Sequence, residues 1–410
     1  MKILLLTPYV TLLNRREFCR NQTGFGYMVM DIAKAVGKLE HVDVLATDSR
    51  GEPFEQDRVR FLKRSMWDYL KDMFYCLPLA SLINLRKCYE MTNGTFIRLM
   101  YYWLMTGYLK KELVSEKYDI VHIQSCSFGI ELWIQICKSL QQKYIVTLHG
   151  LDSFSETVRL ESAGKKFERD FLKRVSEGEI PITVISTGMK KLIEKTYNTP
   201  DCNNITVICN SFSFLHNETS ISIREQYAIP KESKVLLYVG NISKNKNQVQ
   251  LVRAYGLLPD DLRKQTFLLF CGEDHAKDGD VEKAIKQAPN ENHIILCGGI
   301  DKANMPDYYS QADGVVLLSY AEGFGLSLIE GMHFGLPCVM HKDLDAFVDI
   351  YNKCAVVPAE GRDDNNVANA IVKLLTNDWN KESIKAYSKK FESESMAQQY
   401  IDAYKQIARV

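Results

Sequence analysis

The sequence has no charge of either sign to spare. Its 51 lysines and arginines balance 51 aspartates and glutamates, so the formal net charge is +0. A surface that grips nucleic acid through its phosphates needs a basic excess, so no nucleic-acid partner is expected. Paired cysteine spacing is missing too. Eleven cysteines are scattered from Cys19 to Cys354, with no CxxC and no cysteine–histidine zinc pattern. Such a set fits a reducing cytosol, where thiols act as small buried hydrophobes. It predicts a cytoplasmic protein with no metal ligands. Long apolar runs are also absent. The stretches 74–85 and 99–109 fall short of the roughly 20 residues a membrane-spanning helix needs. The opening MKILLLTPYVTLLNRREF has the look of a signal peptide. Yet Pro8 breaks its apolar run, Asn14-Arg15-Arg16 follow, and no small-residue cleavage site appears. It reads as a buried strand.

What is present is a repeating alternation. A hydrophobic fraction of 46% in 410 residues provides for two or three cored domains. MKILLLTP precedes the helical pattern YMVMDIAKAVGKL and then VDVLAT; later come YDIVHIQS, KYIVTLHG and ITVISTG. Short runs rich in Val, Ile and Leu, separated by helices, imply a parallel sheet covered on both faces. The alternation pauses in the polar stretch around 214–233 and restarts with KVLLYVGN, TFLLFCGED, NHIILCGGI, GVVLLSY and LPCVMHKD. The reading is two tandem Rossmann-like, doubly wound α/β domains, 1–213 and 234–382, joined by a linker. In the tail 383–410, Met396, Tyr400, Tyr404 and Ile407 form one apolar stripe at helical spacing. That helix is expected to cross back and pack on the first domain.

Residues 60–113 mix aromatics such as Trp67, Tyr69 and Trp103 with cations such as Lys63, Arg64 and Arg98. Two readings stand: helices packed on the first domain with cations in water, or a peripheral contact with the inner face of a membrane.

In doubly wound sheets, ligands bind beyond the carboxyl ends of the strands. In SYAEGFGLSLIEGMHFGLPCVM, GVVLLSY supplies the strand, AEGFG the turn and LSLIEGMHF the helix. The first N–H groups of such a helix, at Gly325, Leu326 and Ser327, make an anion site with the helix dipole. Glu330 lies one turn in, where a carboxylate accepts hydrogen bonds from vicinal hydroxyls. Glu322 sits at the loop rim, free for a second polar ligand. The competing reading makes Glu330 a helix-dipole acid and Glu322 a solvated loop residue. A second candidate, YVGNISKNKNQVQLVRAYGLL, sets Lys244 and Lys246 in a turn between strand and helix. Those lysines either reach a diphosphate or belong to a solvated loop. His149 ends a strand, and on that alone is a structurally satisfied histidine.

As an ordered set, these segments resemble glycosyltransferase family 4, the retaining enzymes of GT-B fold that use nucleotide-sugar donors. SYAEGFGLSLIEGMHFGLPCVM is similar to its Glu-x7-Glu motif and YVGNISKNKNQ to its donor-phosphate loop; YDIVHIQS, VTLHG and VICNSFSF complete the likeness over nearly the whole chain. The resemblance implies that Glu330 holds the donor ribose, Glu322 the donor sugar, and Lys246 the diphosphate. It implies phosphate donors at Gly325, Leu326 and Ser327. His149 would lie near the transferred sugar, and Gly24 and Gly26 in a loop beside donor and acceptor. It implies no cofactor and no metal. The acceptor expected is a glycan, a lipid-linked species or a small molecule of cell-surface synthesis, a reading motivated by the basic and aromatic residues of 60–113. One departure stands out. Where the family usually has Arg after the phosphate-loop glycine, this chain has Asn241, which makes no charged fork; Lys244 is the cation at hand to compensate. The first-domain loop also has Thr23-Gly24 in place of the usual glycine pair. The alternatives are a nucleotide-sugar-binding paralogue without turnover, and an epimerase or phosphorylase on the same fold.

Overall fold

The computed structural model describes residues 1–12, 15, 18–19, 24–47, 49, 52–62, 107–124, 128–154, 162–212 and 221–409. The chain forms two compact units, residues Met1–Ser211 with Ser393–Val410, and residues Phe212–Glu392.

The first unit is built on an eight-stranded sheet of β1 (Lys2–Thr7), β2 (His41–Ala46), β3 (Phe54–Gln56), β4 (Val59–Leu62), β5 (Ile120–Gln124), β6 (Tyr144–Leu148), β7 (Ile182–Val184) and β8 (Ile205–Val207). The spatial order is β3-β4-β2-β1-β5-β6-β7-β8. Neighbours run parallel except the edge pair β3 and β4. Every residue of β5 and β6 is buried, which is why these strands read as continuous runs rather than alternating ones. Polar His122, Gln124, Thr147 and Thr183 are buried among them. Helix α1 (Gly24–Gly37) follows β1, α2 (Phe128–Ser139) follows β5, α3 (Ser162–Ser176) follows β6 and α4 (Thr187–Tyr197) follows β7.

The C-terminal helix Ser393–Arg409 does return to this unit. Met396, Tyr400, Ile401 and Tyr404 share one buried cluster with Ile3, Val29, Ile32 and Val42, with Ile407 packed against it. Lys38 donates to Glu394 at 2.8 Å. The returning segment is shorter than the stretch 383–410 expected above. Residues Lys381–Ser388 form a separate helix of the second unit, and a turn at Lys389–Phe391 ends it.

The second unit has a six-stranded, wholly parallel sheet of β9 (Lys234–Val239), β10 (Thr266–Cys271), β11 (Ile294–Gly298), β12 (Gly314–Leu317), β13 (Cys338–His341) and β14 (Val356–Ala359). Its order is β11-β10-β9-β12-β13-β14. Helices α5 (Gln248–Gly256), α6 (Asp280–Gln287), α7 (Met305–Ser310), α8 (Leu326–His333) and α9 (Asp364–Thr376) alternate with the strands. Residues 221–233, read from sequence as linker, belong to this unit. The backbone N–H of Ile221 donates to Asp307 at 3.0 Å, and that of Ile223 to Gln311 at 3.1 Å.

The strand orders locate the crevices. The order in which strands are added to the sheet reverses between β1 and β5 in the first sheet and between β9 and β12 in the second. Loops diverge at such switch points and leave room for a ligand beyond the strand ends.

Candidate functional site

In the second unit, the loops after β9 and β12 flank the switch point and are laced together. Asn245 does most of the lacing. Its side chain donates to the Ala321 carbonyl at 2.9 Å and accepts from the Ala321 N–H at 3.1 Å, while its own carbonyl accepts from Tyr320 at 2.8 Å. Buried Tyr238 of β9 adds a second tie. Its hydroxyl donates to the Lys246 carbonyl and accepts from the Leu318 N–H. Arg362, after β14, ties the loop after β12 to the one after β13: one terminal nitrogen donates to the Ser319 carbonyl at 2.9 Å, while Nε and the other terminal nitrogen fork to Asp343 at 2.9 Å each.

This lacing brings Lys246 and Glu322 together. The ammonium donates to the carboxylate, and Ser319 Oγ donates to the same oxygen at 3.1 Å. The side chains are only 25% and 17% exposed, so the pair is shielded more than a surface bridge and less than a core one. The expectation that Glu322 stands free at the rim does not hold in this structure. It is held by Lys246 and Ser319.

Helix α8 begins at the same crevice. Gly325 is its N-cap, with φ 93° and ψ 53°, a left-handed conformation that L side chains avoid. An added Cβ there would sit 3.1 Å from Leu317 Cδ2. The first-turn N–H groups, at Leu326 and Ser327, lack intrahelical acceptors by helix geometry and carry the positive end of the dipole. One turn on, Glu330 accepts from the Tyr309 hydroxyl at 2.7 Å. Burial and the adjacent Glu330 push the Tyr309 phenol well above its usual pKa, so it remains a donor that orients the carboxylate.

Lys244 and Asn241 stand differently. Lys244 is 75% exposed, with Asp278 3.8 Å away. It lines a groove of about 960 Å³ between α5 and α6, which Lys246, Glu322 and Glu330 do not line. Asn241 joins two loops: its Oδ1 accepts from the Glu273 N–H at 3.2 Å and its Nδ2 donates to His275 at 3.3 Å. An arginine there would give up those bonds.

The first unit holds the remaining candidates. Gly24 opens α1, and nothing lies within 4 Å of a Cβ placed on it. Gly26 is different: an added Cβ would meet Thr11 Oγ1 at 2.2 Å, and Thr11 N–H donates to the Gly26 carbonyl at 3.2 Å. The second glycine thus lets the loop after β1 lie on the start of α1. Between them, Phe25 meets the His149 ring edge-on at 5.0 Å, so α1 and the end of β6 share one corner. His149 bonds to Gln124 at 2.6 Å, and burial draws its pKa down to about 3. The imidazole is neutral at ordinary pH.

Sequence reasoning missed Asn245, Tyr238, Arg362, Tyr309 and Gln124. Asn245 sat in a Lys/Asn loop of which only the lysines were singled out, and the tyrosines carried no motif of their own. Of residues 60–113, the segment 63–106 lies outside the described residues; within 107–113, Tyr108 and Leu109 are buried. Among the described residues no helix is long and apolar enough to cross a membrane.

Two tandem doubly wound α/β units are the architecture of the GT-B class. Comparison with known proteins agrees. The model described as Glycosyltransferase Family 4 matches residues 23–213, and the one described as Glycosyl transferases group 1 matches residues 220–391. The chain belongs to family 4 of the glycosyltransferases. It is 23% identical to the O-antigen chain mannosyltransferase B of Escherichia coli over 64% of this chain and 70% of that protein. It is 25% identical to the 2-deoxystreptamine N-acetyl-D-glucosaminyltransferase of Niallia circulans, over 66% and 71%. A crystal structure of Anabaena HepE in complex with UDP and glucose superposes with a TM-score of 0.68 at 16% identity, covering 99% of this chain and 100% of that one.

Proposed function

We propose that this glycosyltransferase moves a sugar from a nucleotide-sugar donor to a glycan, lipid-linked or small-molecule acceptor in polysaccharide or glycoconjugate synthesis. The Lys246–Glu322 pair beside the start of α8 carries the reading. Lys246 exchanges Glu322 for the donor diphosphate, and the released carboxylate accepts hydrogen bonds from the donor sugar. The N–H groups of α8 share the phosphate charge, where such donors count most as the leaving group departs. Glu330, oriented by Tyr309, holds the ribose hydroxyls. Transfer breaks the bond from the anomeric carbon to phosphate oxygen and forms one from that carbon to the acceptor oxygen. The acceptor proton passes to the leaving phosphate on the same face, which retains configuration. The step needs no resident metal. The naming of the E. coli relative for an O-antigen chain and the UDP held by Anabaena HepE support this choice of substrates.

The test is release of nucleoside diphosphate by the purified chain from a panel of nucleotide sugars, with candidate acceptors supplied. At least one donor should turn over, and Glu322→Ala should lower the rate about 100-fold. Release from none would contradict the proposal. A second reading, donor binding without turnover, is favoured by Asn241, whose amide joins neighbouring loops where family members carry a cation. It expects binding in that panel and no release. We place the protein in the cytoplasm, with residues 60–113 touching the membrane that holds a lipid-linked acceptor. Failure to sediment with anionic liposomes would remove that contact.

A further inference from the structure

Two donors share one oxygen of Glu322, and they differ in how firmly they are themselves held. Lys246 Nζ and Ser319 Oγ both donate to Oε2, the hydroxyl from 3.1 Å. Oε1 takes no hydrogen bond from the described residues.

The ammonium sits at the end of a flexible four-carbon stem whose side chain is partly exposed. That stem crosses Gly240, where its Cε lies 3.6 Å from the place of an absent Cβ. No side chain at that position clamps it. Ser319 is the opposite case. It is fully buried, just past the end of β12 at Leu317, and its hydroxyl turns about one bond only. The backbone around it is anchored residue by residue. The Leu318 N–H donates to the Tyr238 hydroxyl at 3.3 Å. The Ser319 carbonyl accepts from Arg362 at 2.9 Å. The Tyr320 N–H donates to the Asn245 carbonyl at 2.8 Å. Three successive residues are thus tied to three separate segments of the second unit. Turning Lys246 toward another anion asks only for rotations of a mobile stem. Turning Ser319 away gives up a buried hydrogen bond to a carboxylate, the stronger kind.

We infer that Ser319 is a positioning residue: its hydroxyl keeps the Glu322 carboxylate in place, with Oε1 open to a ligand, after Lys246 has turned to a diphosphate. What Oε1 then accepts from rests on the donor reading above; the hold of Ser319 on Glu322 does not. Without that hydroxyl, departure of Lys246 would leave the carboxylate no hydrogen bond among the described residues, and it would turn to water.

Lys246→Ala takes the ammonium away with no ligand present. Its crystal structure should show Glu322 still hydrogen-bonded to Ser319 Oγ. In Lys246→Ala/Ser319→Ala the carboxylate should turn to solvent or spread over several rotamers. A carboxylate that leaves Ser319 in the single variant overturns the inference, whatever the activity. Kinetics supplies a readout that loss of packing would not give. With a donor that turns over, Ser319→Ala should lower kcat about tenfold, the scale of one hydrogen bond to a charged group. Affinity for the matching nucleoside diphosphate should not change. In a Glu322→Ala background the same substitution should cost nothing further, because the two residues act as a unit. Equal losses in both backgrounds, or no loss in either, also overturn the inference. If no nucleotide sugar turns over while Lys246→Ala keeps Glu322 on Ser319, the positioning stands and the donor reading fails instead.

Discussion

The two units solve the same problem in opposite ways. In the second, the candidate groups sit on loops that begin where strands end, and neighbouring loops hold one another: Asn245 on Ala321, Lys246 on Glu322. In the first, His149 is held from beneath by the sheet, and the chain of contacts ends on a helix 282 residues beyond His122. Charge is gripped by a laced loop pair; a neutral ring is aimed by buried strands. The loop site rests on a partly solvated ion pair, which an anion is able to open. A strand site keeps its ring in place through Gln124, His122 and Tyr404 behind it.

That contrast is open to attack by mutation. The larger effect is expected at Asn245. Asn245→Ala removes both bonds to Ala321 and should raise the donor KM by roughly tenfold, about the worth of one or two hydrogen bonds. Stability should change far less than after loss of a buried group, since both loops remain on their strands. A midpoint of urea unfolding that collapses while KM holds would show that the lacing serves the fold rather than the site.

A smaller effect separates the units by pH. His122 and His149 are both drawn down to about 3 from the ordinary 6.5, by burial in each case and for His122 by its neighbour His149 as well. Below pH 6.5 the unfolded chain takes up protons that the folded chain refuses, so this stability is complete above pH 6.5 and drains as pH falls toward 3. His122 should dominate, being fully buried where His149 is half-buried. Urea unfolding followed between pH 7 and 5 should show a falling midpoint for the first unit. A flat profile would mean that these rings protonate freely in the folded protein.

The same contrast explains what was legible. Glu322, Gly325, Ser327 and Glu330 lie within one strand–turn–helix, so their spacing carries a geometric meaning that sequence exposes. Gly24 and Gly26 were also read as a pair, yet only coordinates separate them: Thr11 demands the second and nothing crowds the first. Tyr404 was read correctly as part of an apolar stripe, but its hydroxyl has a partner that no local pattern reveals. Asn245 hid among lysines and asparagines whose usual fate is solvent. The returning helix starts later than 383 because Lys381–Ser388 is a separate helix, ended by the turn at Lys389–Phe391.

The central claim is that a diphosphate takes Lys246 from Glu322. Calorimetric titration of nucleoside diphosphates into the wild-type chain and into Lys246→Ala tests it most directly. The account predicts binding to wild type that weakens as salt rises, and a loss of about tenfold or more in the variant, the scale of one charge-assisted hydrogen bond. Equal affinity in the two proteins would contradict it.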